Sequence, residues 1–176
     1  MGRNLHTRIV YGYSIGGEDD GWQFDEYDEA DYQMKWPEWV DLDNGEEGDY
    51  AGPEDFISQA KDRLLVQLTG FEDSDDWMGD EATCDAYYAR KHAAEKQVGV
   101  DFEVHGVGEY TEWVLGFELA SSYDSVSEID AELIATLLNP LNMTEMDYKL
   151  HEALRVLQLH PKAQATPRLL LLASYF

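Results

Sequence analysis

The stretch VGVDFEVHGVGEYTEWVLGFELASSY, residues 98–123, decides the fold class. Its first part alternates apolar and polar residues, which is typical of a strand with one buried face. The apolar positions are Val98, Val100, Phe102 and Val104. A glycine-rich turn follows at 106–108, and a second alternating run carries Trp113, Leu115, Phe117 and Leu119 on one face. Two such runs around a short glycine turn predict a β-hairpin over 98–123.

Helical patterns lie on both sides of this hairpin. Residues 53–69 start at Pro53, which suits a first helical position, and end before Gly70. A second helix is predicted over 80–96. Ser125-Val126-Ser127-Glu128 has the form of a capping box, and Asn139-Pro140 is expected to end the helix it opens. Because Thr144-Glu145-Met146-Asp147 resembles another helix start, we predict an αα-hairpin over 126–158.

Two further strands are expected near the ends of the chain. Residues 7–15 alternate, and residues 168–176 form an apolar run that we expect to be buried on both faces. The motifs VYGYSI at 10–15 and VLGFEL at 114–119 share a central glycine. A diverged repeat would explain this, but a close approach of another element at each glycine is the favoured interpretation. The element order predicts an α+β fold, with a roughly four-stranded, mostly antiparallel sheet and about four helices.

The length of 176 residues fits a single domain, 1–176. Residues 18–55 are expected to form an acidic, aromatic-rich insertion between the first strand and the first helix. Within it, residues 24–34 could form a short helix, or residues 32–36 could alternate as a strand.

Charge is distributed unevenly along the chain. The net charge is −25, and residues 18–81 hold 23 acidic residues against three basic ones. Such an asymmetry indicates an interaction surface more than a general means of solubility. Nucleic acid and anionic membranes are repelled by this field, whereas a basic partner is attracted. We therefore expect neither direct nucleic-acid binding nor membrane binding.

The single cysteine, Cys84, excludes an intramolecular disulfide and zinc sites built on cysteine pairs. The first residues lack the apolar core of a secretory signal, and the longest apolar runs are far shorter than the ~20 residues of a membrane-spanning helix. These features predict a cytoplasmic protein, in the cytoplasm of a host cell if the chain is encoded by a phage.

Motifs that carry chemistry are scarce. HExxH, CxxC and GxSxG do not occur, and no glycine-rich phosphate loop follows a strand. Asp101, Glu103 and His105 share one face of a predicted strand and are weak metal candidates, but a solvated polar face is favoured. The acidic run 41–49 resembles a calcium loop that fails the EF-hand register. We predict no catalytic residue, no cofactor and no metal, and hence a binding protein and not an enzyme.

The function hypothesis follows from the acidic insertion, where aromatic residues alternate with carboxylates. Such aromatics are typical of interface centres. We hypothesise a nucleic-acid mimic, an inhibitor that occupies the basic DNA- or RNA-binding surface of a partner protein. Small anti-restriction and anti-CRISPR proteins are similar in charge and size. The predicted partner-binding residues are Asp19, Asp20, Asp25, Glu26, Asp28, Glu29, Asp31, Trp36, Trp39, Asp41, Asp43, Glu46, Glu47 and Asp49.

Two alternatives remain open. A halophilic or generically acidic intracellular protein would use its acids only to stay hydrated, but it should carry them evenly along the chain. A divalent-metal-dependent enzyme with an unrecognised site would need a pocket lined by Asp101, Glu103 and His105.

Overall fold

A computed structural model describes residues 5–17, 21–29, 33–41, 53–107, 110–123, 138–162 and 166–175, together with 132, 135 and 136. The strands are β1 (Leu5–Gly17), β2 (Gly21–Trp22), β3 (Tyr27–Asp28), β4 (Gln33–Met34), β5 (Asp101–Val107), β6 (Tyr110–Tyr123) and β7 (Arg168–Tyr175). The helices are α1 (Pro53–Thr69), α2 (Glu81–Val98) and α3 (Pro140–Leu157), with a 3-10 helix at Asp75–Met78. These elements give an α+β protein, as the sequence predicts.

The main sheet has five strands in the order β2-β1-β6-β5-β7, and it curls. The long strand β1 pairs antiparallel with β6 along one edge and antiparallel with β7 along the other. The predicted hairpin is confirmed, since β5 and β6 pair antiparallel from Asp101↔Gly116 to Val107↔Tyr110. Because β7 also forms a parallel bridge to β5 at Gly106↔Ser174, the four strands β1, β6, β5 and β7 make a closed circuit of pairings.

Gly12 of β1 and Gly116 of β6 lie opposite each other in the sheet. A Cβ atom at Gly12 would lie 2.1 Å from the carbonyl oxygen of Leu115. A Cβ atom at Gly116 would lie 2.5 Å from Cγ1 of Val10. The shared glycine of the two motifs is therefore explained by the close approach of one motif to the other.

The two faces of β1 are buried by different partners. On one face, Val10 packs with Val114 and Leu172, and Leu170 lies against this cluster. On the other face, the hydroxyl of Tyr11 donates a hydrogen bond to Asp147 of α3, with an oxygen-to-oxygen distance of 2.7 Å. The sheet thus carries α3 on the face that bears Tyr11.

The chain divides into two compact units, one of residues 1–40 with 100–176 and one of residues 41–99. The sheet and α3 belong to the first unit. In the second unit, α1 and α2 contact each other, and α1 buries Phe56, Ala60 and Leu64. The expectation of a single domain, 1–176, stays a prediction.

Several predicted boundaries were wrong. Helix α2 continues to Val98 and ends at Gly99, which has the left-handed conformation at φ 72°. The hairpin's first strand therefore begins at Asp101 and not at Val98. Helix α3 begins at Pro140, after the N-cap Asn139, and not at Thr144. Three α-helices are described where about four were expected, and most of the predicted helix at 126–138 lies outside the described residues.

The interpretation of β7 as buried on both faces was also wrong. Leu172 is buried, but the side chain of Leu171 is 73% exposed and that of Leu169 is 51% exposed. In the acidic insertion, the helix over 24–34 is contradicted, because Tyr27↔Met34 and Asp28↔Gln33 pair as a two-stranded hairpin. Among the described helices, none combines the length and the apolar character needed to cross a membrane.

Candidate functional site

The acidic turn, which we define as residues 72–85, connects α1 to the first turns of α2. It contains seven acidic residues and no lysine or arginine: Glu72, Asp73, Asp75, Asp76, Asp80, Glu81 and Asp85. All seven side chains are exposed. Acidic residues suit both helix starts in this region, because the positive end of the helix dipole stabilises them. The acidic turn is thus a locally stable structure whose own residues include no lysine or arginine to neutralise its carboxylates.

Hydrogen bonds fix the shape of the acidic turn. Oδ1 of Asp73 accepts a hydrogen bond from the hydroxyl of Tyr87 on α2, at 2.7 Å. Asp80 is the N-cap of α2, and its Oδ1 accepts from the backbone N–H of Thr83 at 2.9 Å. Phe71 meets the Tyr87 ring edge to face, with centroids 6.0 Å apart. The turn is therefore held against α2 at both of its ends.

The same hydrogen bonds lower the pKa of two of the seven carboxyl groups. The Tyr87 hydroxyl and the backbone N–H of Ser74 lower the pKa of Asp73 below its usual value. The backbone N–H of Thr83 lowers the pKa of Asp80. The structure describes one salt bridge to the acidic turn, between Nη2 of Arg90 and Oδ2 of Asp76 at 3.0 Å. Most of its negative charge is therefore left for other partners.

Two large apolar side chains stand among these carboxylates. Trp77 is 48% exposed and Met78 is 61% exposed, both on the 3-10 helix. The predicted partner-binding aromatics lie in residues 18–55, and the sequence-based prediction did not include Trp77 and Met78. Their position in the sequence could have indicated this exposure. Asp75-Asp76-Trp77-Met78 lies in a short connection between two helices and shows no helical periodicity that would predict a buried face.

Two of the predicted partner-binding acids, Glu26 and Glu29, bond to basic side chains of the protein itself. The Glu26 carboxylate accepts hydrogen bonds from Nδ1 of His160 and from the backbone N–H of the same residue. Nζ of Lys162 bonds to the carbonyl oxygen of Tyr27 at 2.7 Å and to Glu29 at 3.2 Å. Residues 26–29 therefore bind the segment that follows α3, in addition to presenting negative charge.

The other predicted partner-binding residues are divided between the inside and the surface. Trp36 is half-buried and meets Trp22 edge to face, with centroids 6.0 Å apart. Nε1 of Trp39 donates to the carbonyl oxygen of Leu157 at 3.0 Å. Asp25 and Asp41 are exposed, and Asp28 is half-buried. The remaining predicted residues, Asp19, Asp20, Asp31, Asp43, Glu46, Glu47 and Asp49, lie outside the described residues.

The three weak metal candidates make separate contacts. Glu103 forms a salt bridge with Arg8, which is 7% exposed and also donates to the carbonyl oxygen of Val104. Nε2 of His105 lies 3.1 Å from Glu112, and the Asp101 carboxylate accepts from the backbone N–H of Phe102. The expected solvated face is therefore wrong for Glu103 and His105, which are half-buried. Within the described residues, no three His, Cys, Asp or Glu side chains are placed to hold a metal ion.

Comparison of the chain with protein-family models, with curated proteins and with solved structures found no match.

Proposed function

We propose that this protein is an acidic inhibitor that binds the basic, nucleic-acid-binding surface of a partner protein. The observation that carries the proposal is the acidic turn, with seven exposed carboxylates around exposed Trp77 and Met78. Carboxylates pair with the lysines and arginines of such a surface, and exposed aromatic side chains supply contact area at the centre of an interface. The partner would be a DNA- or RNA-binding protein of the cytoplasm.

The density of charge supports a mimic of nucleic acid. The acidic turn has one carboxylate for every two residues. Two residues span about 3 Å along the axis of an α-helix and about 4 Å along the axis of a 3-10 helix. Each strand of duplex DNA carries one charge per ~3.4 Å of axis. A basic cleft that accommodates phosphates at that spacing can therefore meet carboxylates at a similar one.

Salt dependence tests the electrostatic mechanism. Pull-down from a cytoplasmic extract at low salt, with the chain immobilised, should retain a basic protein that is released by moderate salt or by added duplex DNA. Release by DNA is expected because both ligands occupy the same surface of the partner. A partner whose affinity is indifferent to salt, or that binds DNA and this protein together, would refute the mimic.

A pair of matched variants locates the surface. In the first, Asp75→Asn, Glu81→Gln and Asp85→Asn remove three exposed charges from the acidic turn. In the second, the exposed Glu95, Glu118 and Glu145 are changed to Gln, so the net charge is the same. The first variant should bind the captured partner about tenfold more weakly than the second, because each lost charge contact contributes roughly 0.5 kcal/mol. Equal affinities would indicate a generic charge effect.

Thermal unfolding separates this proposal from the halophilic alternative. A protein whose acids only maintain hydration in concentrated salt should unfold at a lower temperature when salt is removed. A mimic should remain folded in dilute buffer, because its folding does not depend on concentrated salt.

A further inference from the structure

Strand β7 carries an exposed apolar row on one of its faces. Leu169 is 51% exposed, Leu171 is 73% exposed, and Ala173 is also exposed. Every second residue of a strand points to the same face, roughly 7 Å from the last, so these three side chains are neighbours. We call this row, Leu169, Leu171 and Ala173, the β7 patch. Single exposed leucines are common on protein surfaces, whereas a contiguous apolar patch is typical of an interaction surface.

The β7 patch lies on the face of the sheet that carries α3. Leu171 pairs with Ile9 of β1, and Leu169 pairs with Tyr11 of the same strand. Tyr11 pairs in turn with Phe117 of β6. Because paired residues of antiparallel strands share a face, the β7 patch continues the surface on which Tyr11 bonds to α3. Tyr11 is only 5% exposed, so this face is covered at β1 and uncovered at β7.

The charged side chains of the strands lie on the opposite face of the sheet. Glu103 of β5 pairs with Val114, and Glu118 of β6 pairs with Val10. Val10 and Val114 pack with Leu172, which alternates with the residues of the β7 patch. No strand residue that the described pairings place on the face of the β7 patch is Asp, Glu, Lys, Arg or His. The strands therefore surround the β7 patch with uncharged side chains.

The two ends of the chain contain no acidic residue. All 37 Asp and Glu residues lie between positions 18 and 152, and none occurs in 1–17 or 153–176. Strand β1 comes from the first of these segments and β7 from the second, and the two strands pair with each other. In a chain with a net charge of −25, these neighbouring strands carry none of the carboxylates that would repel a second copy.

This chemistry favours a second copy of the chain as the occupant of the β7 patch. A basic partner is attracted to the acidic residues elsewhere, and an acidic partner is repelled by the net charge. An uncharged apolar row is complementary to itself, as an interface across a twofold axis requires. With the two β7 strands antiparallel and Leu171 near the axis, the two Arg168 residues would lie about 20 Å apart along the strands. That separation exceeds the screening length of ~8 Å at physiological salt, so the two guanidinium groups would repel each other only weakly.

We propose that two copies of this chain form a dimer through the β7 patch, with Leu171 of each copy near the twofold axis. The contact buries the β7 patch of one copy against the β7 patch of the other. Because this row is smaller than a standard interface, the dimer dissociates at about 10–100 μM. The dimer does not rest on the inhibitor function proposed above, and its salt dependence has the opposite sign. Salt screens the repulsion between two negative chains and strengthens the dimer, whereas it weakens binding to a basic partner.

Sedimentation velocity of the whole chain tests the proposal. Between about 5 and 500 μM, the sedimentation coefficient should rise from that of one chain to that of two chains and then stay constant. The dissociation constant of the dimer should fall at least about twofold when salt is raised from about 0.05 to 0.3 M. A chain that is still monomeric at the highest concentration would overturn the proposal. So would species larger than two copies, or a dimer that salt weakens.

Variants locate the contact on β7. Leu171→Gln should weaken the dimer about tenfold, and Leu171→Met should retain it, because methionine keeps an apolar side chain of similar volume. Leu141→Gln is the matched control, since Leu141 is an 82% exposed leucine of the same unit that lies on α3 outside the β7 patch. Both leucines are exposed, so each variant should keep the wild-type melting temperature. A dimer that Leu171→Gln leaves unchanged, or that Leu141→Gln weakens equally, would show that the β7 patch is not the interface.

Discussion

Substitution of Arg8 by methionine should destabilise the fold more than any surface change. Arg8 is 7% exposed, and its guanidinium bonds to the Glu103 carboxylate and to the carbonyl oxygen of Val104. Removal of the arginine breaks this salt bridge of the Glu103 carboxylate, whose side chain is only 15% exposed. Breaking a buried ion pair from one side costs about 3–5 kcal/mol. Because domains are stable by only ~5–15 kcal/mol, a large part of the stability would be lost.

Urea unfolding followed by circular dichroism measures this loss as a shift of the midpoint at an unchanged slope. The double variant Arg8→Met with Glu103→Leu is the decisive comparison. Replacing both members of a buried pair by apolar residues is close to neutral, so the double variant should recover about 2 kcal/mol or more over Arg8→Met alone. Arg90→Met, which removes an exposed salt bridge, should keep the wild-type midpoint. A double variant less stable than Arg8→Met would refute the reasoning, as would an Arg8→Met midpoint equal to wild type.

Three further outcomes are expected. Gly116→Ala should lower the free energy of unfolding by about 1–3 kcal/mol in urea, because its Cβ would lie 2.5 Å from Cγ1 of Val10. Burial, followed by the Arg8 charge, lowers the pKa of His6 in the folded protein. The unfolded chain then binds more protons below about pH 6.5, so stability should fall as pH falls from about 7 to 5, with a shallower slope in His6→Gln. Tyr11→Phe should cost about 0.5–1.5 kcal/mol by thermal unfolding, and less when Asp147→Asn is already present.

Local sequence patterns predicted most helices and strands, and where they failed there was a physical reason. The hairpin was predictable because alternation over 98–123 reports directly which side chains share a face of a strand. The start of α3 was not predictable, because the pair Asn139-Pro140 is compatible with either the end of one helix or the start of another. Proline can end a preceding helix, but it also suits the first position of the next one. In the structure, Pro140 begins α3, and the Asn139 side chain caps the helix by accepting a hydrogen bond from the backbone N–H of Leu141.

The burial of β7 was beyond the sequence for a different reason. A continuous apolar run cannot show whether both faces of a strand are covered. Alternate side chains point to opposite faces, and only the face with Leu170 and Leu172 meets the Val10 cluster. Contacts between distant parts of the chain were equally hidden, since Glu26 and His160 are 134 positions apart.

The acidic residues that the structure describes at 26–29 and in the acidic turn are of two physically different kinds, and that difference decides where the inhibitor hypothesis should be tested. Charge reversal at Glu26 or Glu29 would break contacts to His160 and Lys162, so a loss of binding there would not separate structure from recognition. Asp75 and Glu81 are exposed within the acidic turn, where the structure describes a salt bridge only at Asp76. Their removal changes the field that a partner meets while the hydrogen bonds that hold the turn to α2 remain. The acidic turn is therefore the place where charge and fold can be varied independently.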